Sequence, residues 1–219
     1  MAHIGEALPI QLCVEGNTEG RKLVVETVFA RNARLTPLSG QQRQVLLGSL
    51  LGDGYLMPTT SGHCFRVGHG LAQAGYVDWK YRHLRDFVRS APRASGRTYY
   101  FRTISMPELS AFRQLWYRTG RKSLPAESLQ AELGPLGLAV WFMDDGSLEG
   151  RQVRINSQSF SLDENEQLSG FLRAKFGIES RLNLDKGRGR LRISEASIGR
   201  LKSLIGPHII PEMLYKLPP

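Results

Sequence analysis

Two apolar runs of this chain, ninety-two residues apart, each end in an aspartate followed by a glycine. The first run, 46–54, ends in Asp53 and Gly54, and the second, 138–146, ends in Asp145 and Gly146. Both runs have the composition of helices. Because the C-terminus of a helix carries partial negative charge, an aspartate there is disfavoured by about 0.3–1 kcal/mol. The sequence therefore predicts that a positive group compensates each carboxylate.

A metal ion is the compensating group that the two runs predict together. If the runs pack side by side, two carboxylates about 4 Å apart repel each other by roughly 4 kcal/mol at an effective dielectric of about 20. A divalent cation would remove that repulsion. Aspartate oxygens and the free carbonyls of a last helical turn are hard ligands, which favour Mg²⁺ over zinc or copper. We therefore predict a magnesium site where two similar halves meet.

The same runs resemble the paired motifs of the LAGLIDADG homing endonucleases. The second copy, Trp-Phe-Met-Asp-Asp-Gly at 141–146, resembles the variant of single-chain, intron-encoded members. Three further stretches match the family in order and spacing: Lys-Ser-Leu-Pro at 122–125, Ile-Asn-Ser-Gln-Ser-Phe at 155–160 and the C-terminal 210–218. The resemblance runs from about Ser39 to the last residue. It implies a staggered double-strand break in a long asymmetric DNA target.

By this resemblance, Asp53 and Asp145 would be catalytic and would hold two or three Mg²⁺ ions, for which Mn²⁺ could substitute. The backbone carbonyls of Gly52 and Asp144 would be auxiliary ligands. Asp144 could instead supply the second carboxylate, but the motif alignment sets Asp145 against Asp53, and both precede a glycine. A divalent ion so held would bind the scissile phosphate, activate water and stabilise the departing 3′ oxygen.

Two lysines occupy similar settings near the end of each half. Lys122 lies in Lys-Ser-Leu-Pro and Lys216 in Lys-Leu-Pro. The resemblance implies that both are catalytic and polarise water or stabilise negative charge. A lysine beside a proline-containing segment is usually just solvated. The repetition of the setting in both halves favours the functional interpretation.

The charge balance predicts a polyanionic partner. The chain of 219 residues has 29 Lys plus Arg against 20 Asp plus Glu, a net charge of +9, and a field of that size favours nucleic acid. Polar faces of the predicted strands carry arginine with Gln or Asn, which suit phosphates and base edges. Any single one could merely solvate an exposed sheet face. The candidate DNA-binding residues are Arg66, Arg97, Arg102, Arg151, Arg154, Gln158, Arg181, Arg188, Arg190 and Arg192.

Other features bound the setting in which the protein works. Only two cysteines occur, Cys13 and Cys64, which argues against a disulfide framework and for a reducing compartment. Zinc is disfavoured because His63, Cys64 and His69 lack a fourth ligand at suitable spacing. No run reaches the ~18–20 apolar residues of a membrane span, and the N-terminus resembles neither a signal nor a transit peptide. We expect the protein to act where it is made.

The element order predicts an α+β fold of two pseudo-symmetric LAGLIDADG halves, each reading helix, strands, helix, strands, helix. We expect the motif helices to pack at the central interface and the antiparallel sheets to form a DNA-binding saddle. The predicted boundaries are an N-terminal arm or short substructure at 1–38, the first half at 39–120, a linker at 121–134 and the second half at 135–219. Capping boxes are predicted at Ser39, Ser105 and Ser161, each with Gln or Glu three residues later.

The leading hypothesis for function is a monomeric, Mg²⁺-dependent, site-specific DNA endonuclease. One alternative is an RNA maturase that assists intron splicing, with intron RNA as its partner. The other is a catalytically silent DNA-binding module. Both acids and both lysines are present, and an RNA-only binder has no need of them, so the sequence favours the nuclease.

Overall fold

A computed structural model describes residues 27–118, 120–185 and 187–219 of the chain. Its helices are α1 Val28–Leu35, α2 Gly40–Leu51, α3 Ala74–Leu84, α4 Pro107–Trp116, α5 Ala126–Glu132, α6 Pro135–Asp145, α7 Leu162–Phe176 and α8 Glu195–Ile205. Its strands are β1 Tyr55–Thr59, β2 Gly62–Gly70, β3 Arg93–Ser95, β4 Thr98–Arg102, β5 Gly146–Glu149, β6 Gln152–Ile155, β7 Ser180–Asp185 and β8 Arg188–Ile193. Short 3₁₀ turns lie at Leu71–Gln73, Arg85–Phe87, Gly206–His208 and Pro211–Lys216.

The strands form two four-stranded antiparallel sheets with the same connectivity. Their orders are β1-β2-β4-β3 and β5-β6-β8-β7, and every pairing in them is antiparallel. Each sheet follows its own motif helix and is interrupted by a helix between its second and third strands. The predicted α+β fold of two pseudo-symmetric halves is therefore confirmed.

The motif helices α2 and α6 lie at the centre of the core. Leu47, Leu50 and Leu51 of α2 are completely buried, as are Val140 and Trp141 of α6. A helix that is apolar on all sides is buried on all sides. The two runs singled out in the sequence therefore pack against each other inside the core.

Two of the three predicted capping boxes form. Ser39 with Gln42 opens α2, Ser161 with Glu164 opens α7, and both bonds of each box are present. The prediction at Ser105 is wrong, because α4 begins at Pro107 and Met106 is its N-cap residue. Proline suits the first helical turn, and the Ser105 hydroxyl bonds the Thr59 hydroxyl at 2.6 Å instead.

Some elements fall where none was predicted. Helix α1 lies within the predicted arm, whose residues 1–26 are outside the described part of the chain, and α5 lies within the predicted linker. Strands β1, β3 and β5 were also not predicted. Among the described residues, no helix has both the length and the apolar character needed to cross a bilayer.

Candidate active site at the helix interface

Glycine allows the two motif helices to approach each other closely. A Cβ on Gly48 would lie 2.2 Å from the Gly137 carbonyl oxygen and 2.7 Å from Val140 Cβ. A Cβ on Gly52 would lie 2.4 Å from Asp144 Cβ. Gly48 faces Val140 and Gly52 faces Asp144, and each pair is ninety-two residues apart. The pseudo-two-fold axis that relates the halves therefore passes between these contacting residues. The same offset of ninety-two residues makes Asp53 the counterpart of Asp145.

The two predicted metal-binding aspartates lie at the ends of the paired helices. Asp53 follows α2 and its side chain is 53% exposed, whereas Asp145 is the last residue of α6 and is partly buried. Burial, together with the charges of Asp144 and Asp53, raises the pKa of Asp145 to about 8. Burial and the charge of Asp144 also raise the pKa of Asp53. The carboxylates therefore share one electrostatic environment.

Both predicted lysines reach the same region, each at the end of its own motif helix. Lys122 Nζ donates a hydrogen bond to the carbonyl oxygen of Gly52 at 2.6 Å. Lys216 Nζ donates to the carbonyl oxygens of Met143 at 2.5 Å and Asp144 at 3.0 Å. Since Gly52 and Asp144 are counterparts, the two lysines make equivalent contacts. Both carbonyls predicted as auxiliary metal ligands accept ammonium hydrogen bonds here.

Burial shifts the protonation of these lysines. It lowers the pKa of Lys122, although the charges of Asp145, Asp144 and Asp53 oppose the shift. The pKa of Lys216 is lowered for the same reason and opposed by the same carboxylates. An amine with a lowered pKa exchanges a proton more readily near neutral pH, which suits general acid and base chemistry.

A buried ion pair beside the site was not predicted. The side chains of Lys80, on α3, and Asp144 are both fully buried, and Lys80 Nζ lies 2.7 Å from Asp144 Oδ1. The other oxygen, Oδ2, accepts the backbone N–H of Asp53 at 3.2 Å. A signal existed in the sequence, because Lys80 lies in the apolar stripe of α3 between Tyr76 and Leu84, where an unpaired charge would be costly.

His69 completes this cluster. Its Nδ1 lies 3.6 Å from Asp53 Oδ2, and its Nε2 lies 3.7 Å from Asp144 Oδ1. Burial and the charge of Lys80 lower the pKa of His69 to about 4, so the ring is neutral at pH 7. Asp53, His69 and Asp144 offer ligand atoms within 4.8 Å of one another. The Asp144 carboxylate, however, is already neutralised by Lys80 rather than requiring an ion.

The chemistry of Asp53 and Asp145 fits a hard divalent cation. Two carboxylates whose pKa values are raised by burial and by neighbouring carboxylates are stabilised when a cation displaces their protons. The carbonyls of Gly52 and Asp144 add oxygen donors at the negative ends of two helices. The ligand atoms that Asp53, Asp145, Gly52 and Asp144 themselves offer are all oxygen atoms, which is the preference of Mg²⁺.

Predicted DNA-binding residues of the second half form a row across its sheet. Arg154 of β6 lies opposite Arg192 of β8, which lies opposite Arg181 of β7. Strand β8 alternates buried Leu191 with less buried Arg192, so this row occupies the face turned away from the core. A neighbouring acid, Glu149, forms ion pairs with Arg154 and with Arg190 on that face.

The first-half sheet presents a similar but more aromatic face. Arg66 of β2 lies opposite Arg102 of β4, and both are exposed. The guanidinium of Arg66 lies 5.0 Å from the ring centroid of Tyr100, and that of Arg93 lies 5.4 Å from it. Tyr100 and Arg93 were not predicted. The remaining candidates lie at strand ends or in turns: Arg97, Arg151, Gln158 and Arg188.

Comparison with known proteins assigns the family. The sequence of residues 43–201 matches the protein-family model described as the LAGLIDADG DNA endonuclease family. A protein of Mycosarcoma maydis named probable intron-encoded DNA endonuclease 3 is 36% identical over 56% of this chain and 94% of its own. The cytochrome b mRNA maturase bI2 of Debaryomyces hansenii is 27% identical over 83% of this chain and 75% of its own.

A longer relative matches over nearly the whole chain. The protein RecA of Mycolicibacterium fallax is 33% identical over 93% of this chain, but over only 52% of its own length. The chain thus spans about half the length of the first curated relatives that it matches.

Solved structures share the fold. The homing endonuclease I-WcaI bound to its DNA recognition sequence superposes with a TM-score of 0.79 at 22% identity, covering 90% of this chain and 95% of that one. I-DmoI in complex with DNA and Mn gives a TM-score of 0.51 at 17% identity, covering 77% and 97%. With both motifs inside the matched residues 43–201, the chain belongs to the LAGLIDADG DNA endonuclease family.

Proposed function

We propose that this chain is a site-specific homing endonuclease. It makes a staggered double-strand break in a long asymmetric DNA target by divalent-metal-dependent phosphodiester hydrolysis. The observation that carries the proposal is the paired arrangement at the helix ends. Each half contributes one aspartate and one lysine, Asp53 with Lys122 and Asp145 with Lys216, to a common electrostatic environment.

In this proposal Asp53 and Asp145 hold two or three Mg²⁺ ions together with the carbonyls of Gly52 and Asp144. Each carbonyl oxygen has two lone pairs, so its lysine contact leaves a second acceptor position. When bound, the metal activates water, binds the scissile phosphate and stabilises the 3′ oxygen that leaves. Mn²⁺ is expected to substitute, and I-DmoI crystals containing Mn, Mg and Ca support this choice.

The lysines act on protons and charge next to the carboxylates. Held at the carbonyl oxygens of Gly52 and Asp144, Lys122 and Lys216 are positioned to polarise a water molecule or to stabilise negative charge on the phosphate. Their lowered pKa values bring proton exchange closer to neutral pH. One lysine in each half matches a reaction that must be carried out once on each strand.

DNA binding is assigned to the outer faces of the two sheets. The row of Arg154, Arg192 and Arg181 offers donors to phosphates and to guanine edges. The pair of Arg66 and Arg102 does the same in the first half. Both halves belong to one chain, so we expect the enzyme to work as a monomer on an asymmetric site.

The proposal is tested by incubating the purified chain with a randomised DNA library in Mg²⁺ and sequencing the cleaved ends. A single long target, cut on both strands with staggered ends, is the expected result. No cleavage in Mg²⁺ or Mn²⁺ over the whole library, with DNA binding retained, would reject the nuclease in favour of a silent DNA-binding module.

A second candidate function is RNA maturation, which the relationship to the maturase bI2 favours. The two functions can be separated on one preparation by measuring binding to intron RNA and to intron-free DNA. Tight, saturable binding to the intron RNA with accelerated splicing would establish the maturase. Retained DNA cleavage in the same preparation would establish a dual function.

A further inference from the structure

The carboxylate of Asp144 belongs to the second motif helix but serves the first half of the molecule. Its Oδ1 pairs with Lys80 of α3, and its Oδ2 accepts the backbone N–H of Asp53. One fully buried side chain therefore links a buried lysine to the backbone of a proposed metal ligand. Its backbone carbonyl, which contacts Lys216, is a separate feature of the same residue.

Stability alone does not explain this ion pair. A buried pair loses the hydration of both charges, and its replacement by well-packed apolar residues is often neutral or stabilising. Lys80 is nevertheless held firmly, with Nζ 4.4 Å from the ring centroid of Tyr76. The Tyr76 hydroxyl in turn donates to the Val140 carbonyl of α6 at 3.2 Å. Tyr76 thus holds the Lys80 ammonium in place, and Lys80 in turn orients the Asp144 carboxylate. That carboxylate holds the backbone N–H of Asp53.

Within the described part of the chain, the second half has no equivalent contact. Gly52, the counterpart of Asp144, has no side chain that could reach the backbone of Asp145. The backbone of Asp145 is held instead through its carbonyl oxygen, which accepts the N–H and the Nδ2–H of Asn156, both at 2.9 Å. The two acids are therefore positioned by different means.

We propose that Asp144, charge-balanced by Lys80, is a positioning residue that holds Asp53 in place for cleavage, and that the two DNA strands therefore depend on it unequally. The proposal rests on the proposed nuclease function. It assigns a role to side chains that do not contact the reacting atoms. Loss of the Asp144 acceptor should slow one strand cut more than the other.

Two double variants isolate the acceptor from the ion pair. Lys80→Met with Asp144→Asn removes both charges but keeps a side-chain amide oxygen that can accept the Asp53 N–H. The NH₂ of the new asparagine can face Nε2 of His69, which has no hydrogen-bond partner among the described residues. Lys80→Met with Asp144→Ala removes the acceptor as well. Because both lack the buried pair, their difference reports the bond to Asp53.

The readout is the rate of each strand cut on a duplex labelled at both ends. In the alanine double variant, the ratio of the two rates should change by about 10-fold or more. In the asparagine double variant, the ratio should stay within about 3-fold of the wild-type value. Equal slowing of both strands in the alanine variant, or the same change of ratio in both variants, would overturn the proposal.

A second measurement does not need cleavage. In ¹H–¹⁵N spectra of the free protein, the Asp53 amide proton should move upfield in the alanine double variant and keep its position in the asparagine one. If the wild-type chain cuts no DNA, the nuclease proposal fails on that result. An unchanged Asp53 amide in the alanine variant would separately disprove the positioning by Asp144, and thermal unfolding would verify that both variants fold.

Discussion

Lys122 Nζ lies 2.6 Å from the carbonyl oxygen of Gly52, so the segment that follows the first sheet returns to the end of the first motif helix. Lys216 makes the equivalent contact with the Asp144 carbonyl. A cation at a helix C-terminus is favourable, but a single such contact would be unremarkable in function. Its repetition at symmetry-related positions beside two aspartates identifies the pair as catalytic candidates.

Replacement of either lysine by methionine should slow DNA cleavage by about 10²–10⁴-fold, because a positioned proton donor or acceptor is lost. Lys122→Met and Lys216→Met would be compared by the single-turnover rate of double-strand cleavage. Lys202→Met, in α8, is the matched control and should cleave like the wild type. Wild-type rates in both active-site variants would show that the two ammonium groups are structural.

Loss of either motif carboxylate should abolish double-strand cleavage while leaving metal-independent DNA binding largely intact. Asp53→Asn and Asp145→Asn each remove one ligand of the proposed metal site without changing side-chain size. Cleavage in Mg²⁺ and binding in EDTA would be measured on the same duplex. Asp86→Asn, at an exposed acid, serves as the control, and full cleavage by either motif variant would contradict the assignment.

The sequence predicted those elements whose signals are local. Capping residues at Ser39 and Ser161, the apolar runs of α2 and α6, and alternation in β8 each depend on neighbours in the chain. The misses have local causes as well. Strand β3 has only three residues, and β1 carries Pro58, which is tolerated at a sheet edge but weakens the pattern of a strand.

The candidate site could be predicted only in part. Repetition and family resemblance indicated the two aspartates and the two lysines, which the structure gathers at the helix ends. The ion pair of Lys80 and Asp144 joins residues 64 positions apart. The direction in which the Asp144 side chain points depends on how α6 packs against Gly52. No pattern within one segment encodes that direction, so the ion pair could be identified only in the folded structure.

The raised pKa of Asp145 predicts how stability depends on pH. Between its ordinary pKa of 3.8 and about 8, folded Asp145 keeps a proton that the unfolded chain has released, so stability falls as pH rises. His69, whose pKa is lowered from 6.5 to about 4, has the opposite effect between those values. The two effects on the free energy of unfolding offset each other between about pH 4 and pH 6.5. From about pH 6.5 to about pH 8, the free energy of unfolding should fall because only the effect of Asp145 remains.

This prediction is measured by thermal unfolding of the metal-free protein across that range. The fall should be absent in Asp145→Asn, which cannot release the proton. Mg²⁺ should raise Tm more at pH 8.5 than at pH 6, since protons compete with the metal for the carboxylate. A magnesium effect that is equal at both pH values would count against Asp145 as a ligand.

Binding to DNA should weaken steeply with salt. If roughly 6–10 phosphates are contacted by the arginine faces, affinity should fall about 10³–10⁵-fold between roughly 50 and 200 mM salt. Binding isotherms at several salt concentrations give the slope. Arg192→Gln, at the centre of the second-half row, should lower that slope by about one if it contacts a phosphate. A flat salt response of the wild type would reject the proposed surfaces.

The close approach of the motif helices predicts that Gly48→Ala destabilises the protein. The added Cβ would lie 2.2 Å from the Gly137 carbonyl oxygen, which is backbone and cannot rotate away. Overpacking of this kind typically costs about 1–3 kcal/mol, which corresponds to a Tm roughly 2–12 °C lower for a chain of this size. Gly199→Ala, in α8, meets nothing within 4 Å and should stabilise the protein by roughly 0.5–1 kcal/mol, because alanine is the better helix former. Destabilisation by Gly48→Ala together with stabilisation by Gly199→Ala, measured by calorimetry, would support a glycine-dependent interface. Equal stabilisation by both substitutions would show that α2 and α6 leave room for a Cβ at Gly48, and would contradict the 2.2 Å distance.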